Sequence, residues 1–441
     1  ENCTGLKGKL EIAGNAEGTT IGSYAFYGCN GISALSIGAG VSSIGSGAFS
    51  GCSGIKGDLN IPDSVKSIGS AAFYGCSGFN GKLMLPKEIT VINAGTFYGC
   101  SGITGELNIP DSVTTIYPGA FYGMSGISSV VYGSGVTSFY SSSIYVYYNP
   151  SNSIYLSPSN TMYGMSGVKE ITFKGLSVPT NASTVLSSVS GTLERVYVPG
   201  ENYSEYAGSI ATSIGKAKLL ASNVSEEDEF VIKKKKLISY QGNAAEVEIP
   251  AGVEVISSYA FLNCSSVEKV KLNAELKTIE TGAFRGCTSL EEIEFNGALE
   301  SIGSYAFYGC TELKAVSFGE RLNSIGSYAF NGCTWLEEVS FNEGLVSIGS
   351  YAFYNCAHIS ELSFNKELKS IGDYAFSGCT ELTAISLNEG LESIGNYAFR
   401  GCSKLSGDLM ISESVKSIGS SAFENCTGLK GKLEIAGNAE G

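Results

Sequence analysis

The chain contains a single histidine, His358, and this residue limits the chemistry open to the protein. A Ser-His-Asp triad uses histidine as its general base, and multi-histidine metal centres need several such residues. The sequence also lacks a Cys-x-x-Cys pair and has no Walker or dinucleotide-binding glycine loop. We therefore expect no catalytic residue, no metal site and no cofactor.

Charge and hydropathy exclude further classes of protein. The 441 residues carry 28 basic and 42 acidic side chains, a net charge of −14, which disfavours nucleic acid or an anionic membrane as a partner. No apolar run reaches about 18 residues, so we expect no membrane insertion. Residues 1–222 hold 11 basic and 12 acidic side chains, whereas residues 223–441 hold 17 and 30, so two halves with different surfaces are expected.

Cysteine recurs at a fixed interval along most of the chain. It occurs every 23 residues from position 287 to position 402, and every 23 or 24 from position 29 to position 100, always three residues after a Phe. A fixed period of this length is typical of repeat architectures. Neighbouring cysteines would be close enough for disulfides, but Met124 and Met165 take the cysteine position in two repeats. That replacement favours buried free thiols that pack as small apolar groups.

Each repeat carries the signals of a helical turn followed by a strand. Three residues before the Phe stands an N-cap residue in most repeats, and two residues after it only Gly or Asn occurs, as at a left-handed C-cap. After the Cys come alternating apolar residues such as Leu313, Val316 and Phe318. Because one such unit cannot bury its own apolar face, the copies must stack. We expect an α/β solenoid of ~23-residue units, with short parallel strands on one side and single capped helical turns on the other.

The pattern Ser-Ile-Gly-x-x-Ala-Phe-x-Gly-Cys-x-x-Leu resembles the repeat of the BspA-like leucine-rich repeat proteins over residues 19–135 and 247–441. The resemblance implies a leucine-rich-repeat solenoid and a secreted or surface-exposed binding protein, for which adhesion is the usual proposal. A stretch beginning Leu193-Glu-Arg-Val resembles the family's closing segment, and a stretch beginning Glu229-Phe-Val-Ile resembles its opening hairpin.

We therefore expect two tandem domains, joined by the polar and acidic residues 221–228. Residues 1–222 form the first leucine-rich repeat domain, with an irregular insertion at 138–163 and a closing segment at 192–222. Residues 223–441 form the second, with an opening hairpin at 229–250. Residues 1–18 and 424–441 are identical, which is expected if the chain was cut from a longer array or ends in a recent duplication.

Tyrosines supply the first candidate binding surface. On five successive repeats a tyrosine lies two residues before the Phe, and in a helical turn such residues share one side with those three positions later. Tyrosine is large, fairly rigid and polar at its tip, which suits binding of a glycan or a protein. The same rings would also serve simply to cover the rungs, and both interpretations stay open. The five are Tyr305, Tyr328, Tyr351, Tyr374 and Tyr397.

The insertion at 138–163 supplies the second candidate. It is rich in Tyr and Ser around an Asn-Pro turn signal, and insertions in repeat proteins often form loops on a binding face. A degenerate rung with longer strands is the alternative. The candidate residues are Tyr140, Tyr145, Tyr147, Tyr148 and Tyr155.

Trp335 and His358 form the third candidate. Both lie two residues after the Cys of adjacent repeats, where other repeats have Gly, Ser, Glu or Lys. We therefore expect both rings at the surface, about one strand spacing apart. They would form either a small binding hot spot or an isolated exposed pair without a role.

The leading hypothesis is a non-catalytic protein, secreted or at the cell surface, that binds through its extended repeat surface. The expected partners are an extracellular matrix protein, a cell-surface protein or a glycan, together with further repeats of the same parent chain. A structural spacer in a longer array is the alternative. A carbohydrate-active enzyme using a carboxylate pair ranks last, because Glu292, Glu338 and similar residues fall at equivalent strand positions that indicate a solvated face.

Overall fold

The structure, a computed structural model, describes residues 5–222 and 228–435, and stacked rungs of about 23 residues form most of them. The chain divides into two units, Glu1–Asn223 (unit 1) and Val224–Gly441 (unit 2). Residues 223–227 of the expected linker lie outside the described residues, as do residues 1–4 and 436–441 of the two identical segments.

The first row consists mainly of two-residue strands a few positions before the central Phe of most repeats. Each ends in an Ile or Phe, which is buried in every strand except Ser417–Ile418. Ser301–Ile302 pairs in parallel with Ser324–Ile325, each Ser opposite a Ser and each Ile opposite an Ile. In unit 2 this row starts at an antiparallel hairpin formed by Phe230–Lys233 and Lys236–Tyr240. The other strands of this row in unit 2 are Val255–Ile256, Thr278–Ile279, Ser347–Ile348, Ser370–Ile371, Ser393–Ile394 and Ser417–Ile418; in unit 1 the corresponding strands are Ser67–Ile68, Val91–Ile92, Thr115–Ile116 and Ser138–Phe139.

The second row comes from the alternating segment after each Cys, as its period of two residues predicts. In Glu292–Glu294 the central Ile is buried and both Glu side chains face solvent. In unit 2 the row consists of Glu246–Glu248, Lys269–Lys271, Glu292–Glu294, Ala315–Ser317, Glu338–Ser340, Glu361–Ser363, Ala384–Ser386, Leu409–Ile411 and Leu433–Ile435; in unit 1 it consists of Leu59–Asn60, Leu83–Met84, Gly105–Ile109, Ile127–Tyr132, Glu170–Phe173, Arg195–Pro199 and Lys218–Ser222.

Unit 1 departs from the regular pattern at its start and towards its end. Its first strands, Gly8–Ile21 and Ile32–Ile44, are long and pair with each other in parallel. The described residues contain two α-helices, Ala182–Ser187 and Tyr203–Ile210, and one 3-10 helix, Pro158–Asn160. The insertion adds Ile144–Tyr147 and Ser153–Leu156, which pair antiparallel.

The prediction of a helical turn in each repeat is wrong. Around Phe307, the N–H groups of Tyr305, Phe307 and Gly309 donate to carbonyls of the next rung at 2.7–2.9 Å, and do not reach back four residues. Tyr305 and Gly309 also have left-handed φ values of 59° and 73°. A helix needs an unbroken run of right-handed residues, so this segment is a series of turns that hydrogen-bonds from rung to rung.

The left-handed conformation two residues after the Phe, predicted from Gly and Asn, is confirmed at Gly309 and at Asn355. The solenoid is also confirmed, whereas its α/β description is not: hydrogen-bonded turns stand where helical turns were expected, and the first row of strands, just before those turns, was not predicted.

Aligned Phe rings and thiols run through the core, among buried Ile, Leu, Val and Ala side chains. Phe284 and Phe307 stack with ring centroids 5.1 Å apart, and every other neighbouring pair from Phe261 to Phe423 lies within 5.4 Å. The Cys310 thiol donates to the carbonyl oxygen of Phe284 on the preceding rung at 3.2 Å. All twelve described cysteines are free thiols, and eleven of them are buried; Cys3 lies outside the described residues.

Candidate functional site

The insertion folds into a β-hairpin, named here the tyrosine hairpin (residues 144–156). Its strands pair in register, with Tyr145 opposite Tyr155 and Val146 opposite Ile154. The Asn-Pro signal forms the turn, because the side-chain oxygen of Asn149 accepts from the backbone N–H groups of Ser151 and Asn152 at 2.8 and 2.7 Å. Because side chains alternate along the two paired strands, the hairpin has two distinct faces.

The inner face packs on the turns of the unit 1 rungs. Val146 and Leu156 are 3% and 1% exposed and form an apolar cluster with Ala71 and Ala94. Small residues make room for them: a Cβ atom on Gly119 would lie 2.6 Å from a methyl carbon of Leu156. This packing fixes the hairpin on the solenoid.

The outer face exposes three of the five tyrosines that the sequence singled out in this segment. Tyr145, Tyr147 and Tyr155 are 71%, 58% and 57% exposed. The rings of Tyr145 and Tyr155 lie 5.1 Å apart, with their planes tilted by 55°. Because the planes are tilted, the two rings are not stacked face to face. We name this surface the outer tyrosine face.

The other two tyrosines lie apart from that face. Tyr148 is half-buried and stacks on Tyr74 at 4.6 Å, and Tyr140 is half-buried and stacks on Tyr117 at 4.3 Å. Strand alternation accounts for Tyr148, since Tyr145 and Tyr147 face outward and Val146 and Tyr148 face the rungs. That period-two pattern is visible in the sequence and was the signal that could have separated them.

A second aromatic surface, the tyrosine stack, runs along unit 2. Its rings are half-buried, and neighbouring centroids lie 4.6–4.7 Å apart with planes within 16° of parallel. Burial raises the pKa of Tyr328 and Tyr351, and neighbouring tyrosines raise it further. The stack consists of Tyr305, Tyr328, Tyr351, Tyr374 and Tyr397.

Arginines stand at both ends of the tyrosine stack. The Arg285 guanidinium lies 5.9 Å from the ring centroid of Tyr305 and 5.0 Å from that of Tyr308, and Arg400 lies 5.5 Å from that of Tyr397. Such placements are favourable cation–π contacts. Each ring face of the stack therefore meets another ring or a guanidinium, which leaves ring edges and hydroxyl groups for solvent.

Trp335 and His358, the third candidate, stack with ring centroids 4.4 Å apart and planes 18° from parallel. Trp335 is 46% exposed, and Nδ1 of His358 lies 2.6 Å from the carbonyl oxygen of Thr334. The pair presents one exposed large aromatic side chain, whereas the outer tyrosine face presents three.

The carboxylates considered for an enzyme lie on the second strand row. Glu292 lies 3.4 Å from Lys269, and Glu291 forms an ion pair with Lys314 at 2.5 Å. That lysine holds the pKa of Glu291 below its usual range, chiefly through the hydrogen bond. Within residues 5–222 and 228–435, no three His, Cys, Asp or Glu side chains are placed to hold a metal ion. No helix in the same ranges is long and apolar enough to cross a membrane.

The stacked rungs and parallel strand rows define a leucine-rich-repeat solenoid. A family model described as "BspA type Leucine rich repeat region (6 copies)" matches residues 19–153, 234–333 and 301–430, well over half of the chain. The chain belongs to this BspA-type leucine-rich repeat family, which confirms the resemblance seen in the sequence. A search of curated proteins finds no match.

Crystal structures of several bacterial leucine-rich repeat proteins are similar to this chain. A Bacteroides ovatus protein is 22% identical, with 90% of this chain and 78% of that chain covered and a TM-score of 0.36. A T. pallidum protein is 26% identical, with 48% and 99% covered and a TM-score of 0.39. A leucine-rich cell surface protein from Faecalibacterium prausnitzii is 24% identical, with 78% and 83% covered and a TM-score of 0.37.

Proposed function

We propose that this protein is a non-catalytic, surface-exposed binding protein that adheres to a matrix protein, a cell-surface protein or a glycan. The observation that carries the proposal is the outer tyrosine face, which exposes more than half of each of three aromatic side chains. Exposed aromatic clusters of this kind are typical of recognition surfaces. Membership in the BspA-type family supports a location outside the cell or on its surface.

The inner face of the tyrosine hairpin supports the same proposal. Val146 and Leu156 anchor the hairpin in an apolar cluster, so the outer rings are held in position before any partner arrives. Binding groups fixed in this way lose little conformational entropy on association. The tyrosine stack of unit 2 is less suited to this role, because its ring faces are already covered.

The test is capture of the full 441-residue chain on immobilised matrix proteins, cell-surface glycoproteins and oligosaccharides. We expect capture by at least one class, and loss of that capture in the triple variant Tyr145→Ser, Tyr147→Ser, Tyr155→Ser. The matched control is Tyr163→Ser, which removes a tyrosine of unit 1 that is 54% exposed and lies outside the hairpin. No capture by any class, or equal capture by the triple variant, would contradict the proposal.

A further inference from the structure

We infer that the outer tyrosine face binds a neutral oligosaccharide chain. This inference rests on the proposed binding function and names the class of ligand. Four observations carry it: the open ring faces, the absence of charge in the segment, the polar groups beside the rings, and the size of the surface.

The first observation is that aromatic ring faces are open on the hairpin. A sugar ring presents a face of C–H groups that packs against the flat face of an aromatic ring, so such a site requires uncovered ring faces. Tyr145 and Tyr155 meet this requirement, since their planes are tilted by 55° and their side chains are 71% and 57% exposed. The tyrosine stack does not, because its rings lie 4.6–4.7 Å apart and nearly parallel.

The second observation is the lack of charged residues in the segment that carries these rings. The sequence has no Asp, Glu, Lys or Arg between Asp111 and Lys169, so the hairpin and its flanking segments are uncharged. Sulfated, sialylated and phosphorylated ligands are held by Arg and Lys, and basic peptides by carboxylates. An uncharged site without either group favours a neutral ligand.

The third observation is the set of polar groups that flanks the rings. Ser141, Ser142 and Ser143 precede the hairpin, and Ser151 and Asn152 lie in its turn, all of them exposed. Hydroxyl and amide groups both donate and accept hydrogen bonds. Sugar hydroxyls do the same, so these side chains can satisfy them in several orientations.

The fourth observation is the size of the surface. Three tyrosines of about 150–250 Å² each, exposed by 71%, 58% and 57%, supply about 300–450 Å². A stable protein–protein interface needs about 800 Å² from each partner. The outer tyrosine face is therefore large enough for a few sugar units and small for a folded protein.

The experiment compares ligand classes and two triple variants of the full chain. Neutral oligosaccharides of glucose, galactose, mannose and N-acetylglucosamine are titrated in parallel with sialylated and uronic-acid oligosaccharides, and binding is followed by shifts of the sugar proton resonances. We expect a neutral oligosaccharide to bind, with an affinity that changes less than about twofold between 50 and 500 mM NaCl because no charges are paired.

The variants test whether the ring faces make the contact. The first triple variant, Tyr145→Phe, Tyr147→Phe, Tyr155→Phe, keeps the ring faces and is expected to retain most of the affinity. The Tyr→Ser triple variant is expected to bind about tenfold more weakly or worse. Thermal unfolding of both variants shows whether they remain folded; if the serine variant does not, the single variant Tyr145→Ser replaces it.

The outcomes separate this inference from the proposed function. Binding of acidic oligosaccharides only, or equal binding by the serine and wild-type chains, overturns the inference. If the chain is captured on a protein ligand but binds no neutral oligosaccharide, the inference is also overturned and the proposed function stands. Absence of binding to every ligand class overturns both.

Discussion

Tyr351 occupies a backbone conformation that its own side chain disfavours. Its φ of 59° is left-handed, which costs a residue other than glycine about 1–2 kcal/mol. Its ring stacks at 4.6 Å on both Tyr328 and Tyr374, and each such pair contributes about 0.5–1.5 kcal/mol. Stacking thus offsets the backbone cost, and at the equivalent position Gly282 avoids that cost altogether.

This balance predicts an unusual order of stability at position 351. Both Tyr351→Ala and Tyr351→Gly should be less stable than the wild-type chain, but the glycine variant should be the more stable of the two by about 1 kcal/mol. Urea unfolding measures the difference. The control is the same pair of substitutions at Tyr308, whose φ is not left-handed and where alanine should be the more stable. If the alanine variant were more stable than the glycine variant at both positions, the argument would be contradicted.

The sequence predicted one of the two left-handed positions in each repeat and missed the other. Two residues after the Phe, only Gly and Asn occur, and those residue types report the conformation directly. Two residues before it, Tyr, Ala and Ser stand beside Gly, and Tyr305 is held there by stacking on the next rung. A contact between rungs is not visible in the local sequence, so the preceding Ser was interpreted as a helix N-cap.

At the scale of elements, the tyrosine hairpin shows what a sequence pattern omits. The break in the repeat and the Asn-Pro turn were visible, whereas the docking of the hairpin was not. It depends on Gly119, where a Cβ atom would lie 2.6 Å from a methyl carbon of Leu156. Gly119 lies outside the hairpin, and its role appears only once the hairpin is packed on the rungs. The placement of three tyrosines on one exposed face follows from this docking.

The docked state predicts a local response to Leu156→Ala. Truncating a buried Leu costs about 2–5 kcal/mol, and here the loss falls on the cluster that holds the hairpin. We expect amide hydrogens of residues 144–156 to exchange at least about tenfold faster, since 1.4 kcal/mol corresponds to a factor of ten. Mass spectrometry of exchanged peptides measures this effect.

Tyr155→Ala is the matched control, because Tyr155 lies beside Leu156 on the opposite face and is 57% exposed. It should leave exchange of the hairpin nearly unchanged. Peptides of unit 2 should exchange at wild-type rates in both variants. Equal acceleration in the two variants would mean that the hairpin is not held by its inner face.

At the scale of the whole molecule, repetition explains why the solenoid itself could be predicted. Each Phe and Cys meets the same environment in every repeat. The residue types found at that position in all the repeats therefore test one prediction of its environment. The thiols show this: Cys310, Cys333, Cys356 and Cys379 are completely buried, as the replacement of Cys by Met at Met124 indicates. What repetition did not supply was the number of strand rows, because hydrogen bonds between rungs leave no mark in residue type.

The buried thiols predict that the solenoid loses stability at alkaline pH. Burial raises the pKa of Cys310, Cys333, Cys356 and Cys379, and neighbouring thiols raise it further at the first three. In the unfolded chain these thiols ionise near pH 8.5. Between pH 8.5 and the raised values only the unfolded state releases its protons, so the free energy of unfolding falls as the pH rises.

Each buried thiol lowers the unfolding free energy by about 1.4 kcal/mol per pH unit above 8.5. For these four cysteines of unit 2 the loss is about 5–6 kcal/mol at pH 9.5, against a typical total of about 5–15 kcal/mol. Urea unfolding under reducing conditions at pH 7.5, 8.5 and 9.5 measures it. The fluorescence of Trp335, the one tryptophan of the chain, reports unit 2 specifically.

The pH slope, and not the stability at neutral pH, is the decisive quantity. Cys333→Ala and Cys356→Ala each leave a small cavity and lower the stability at pH 7.5. Each also removes one thiol that releases its proton only in the unfolded state. Above pH 8.5 the unfolding free energy of the double variant should therefore fall less steeply than that of the wild-type chain, by about 2.7 kcal/mol per pH unit. An unfolding free energy of the wild-type chain that stays constant from pH 7.5 to 9.5 would mean that the thiols ionise in the folded state, which is incompatible with a buried core of stacked cysteines.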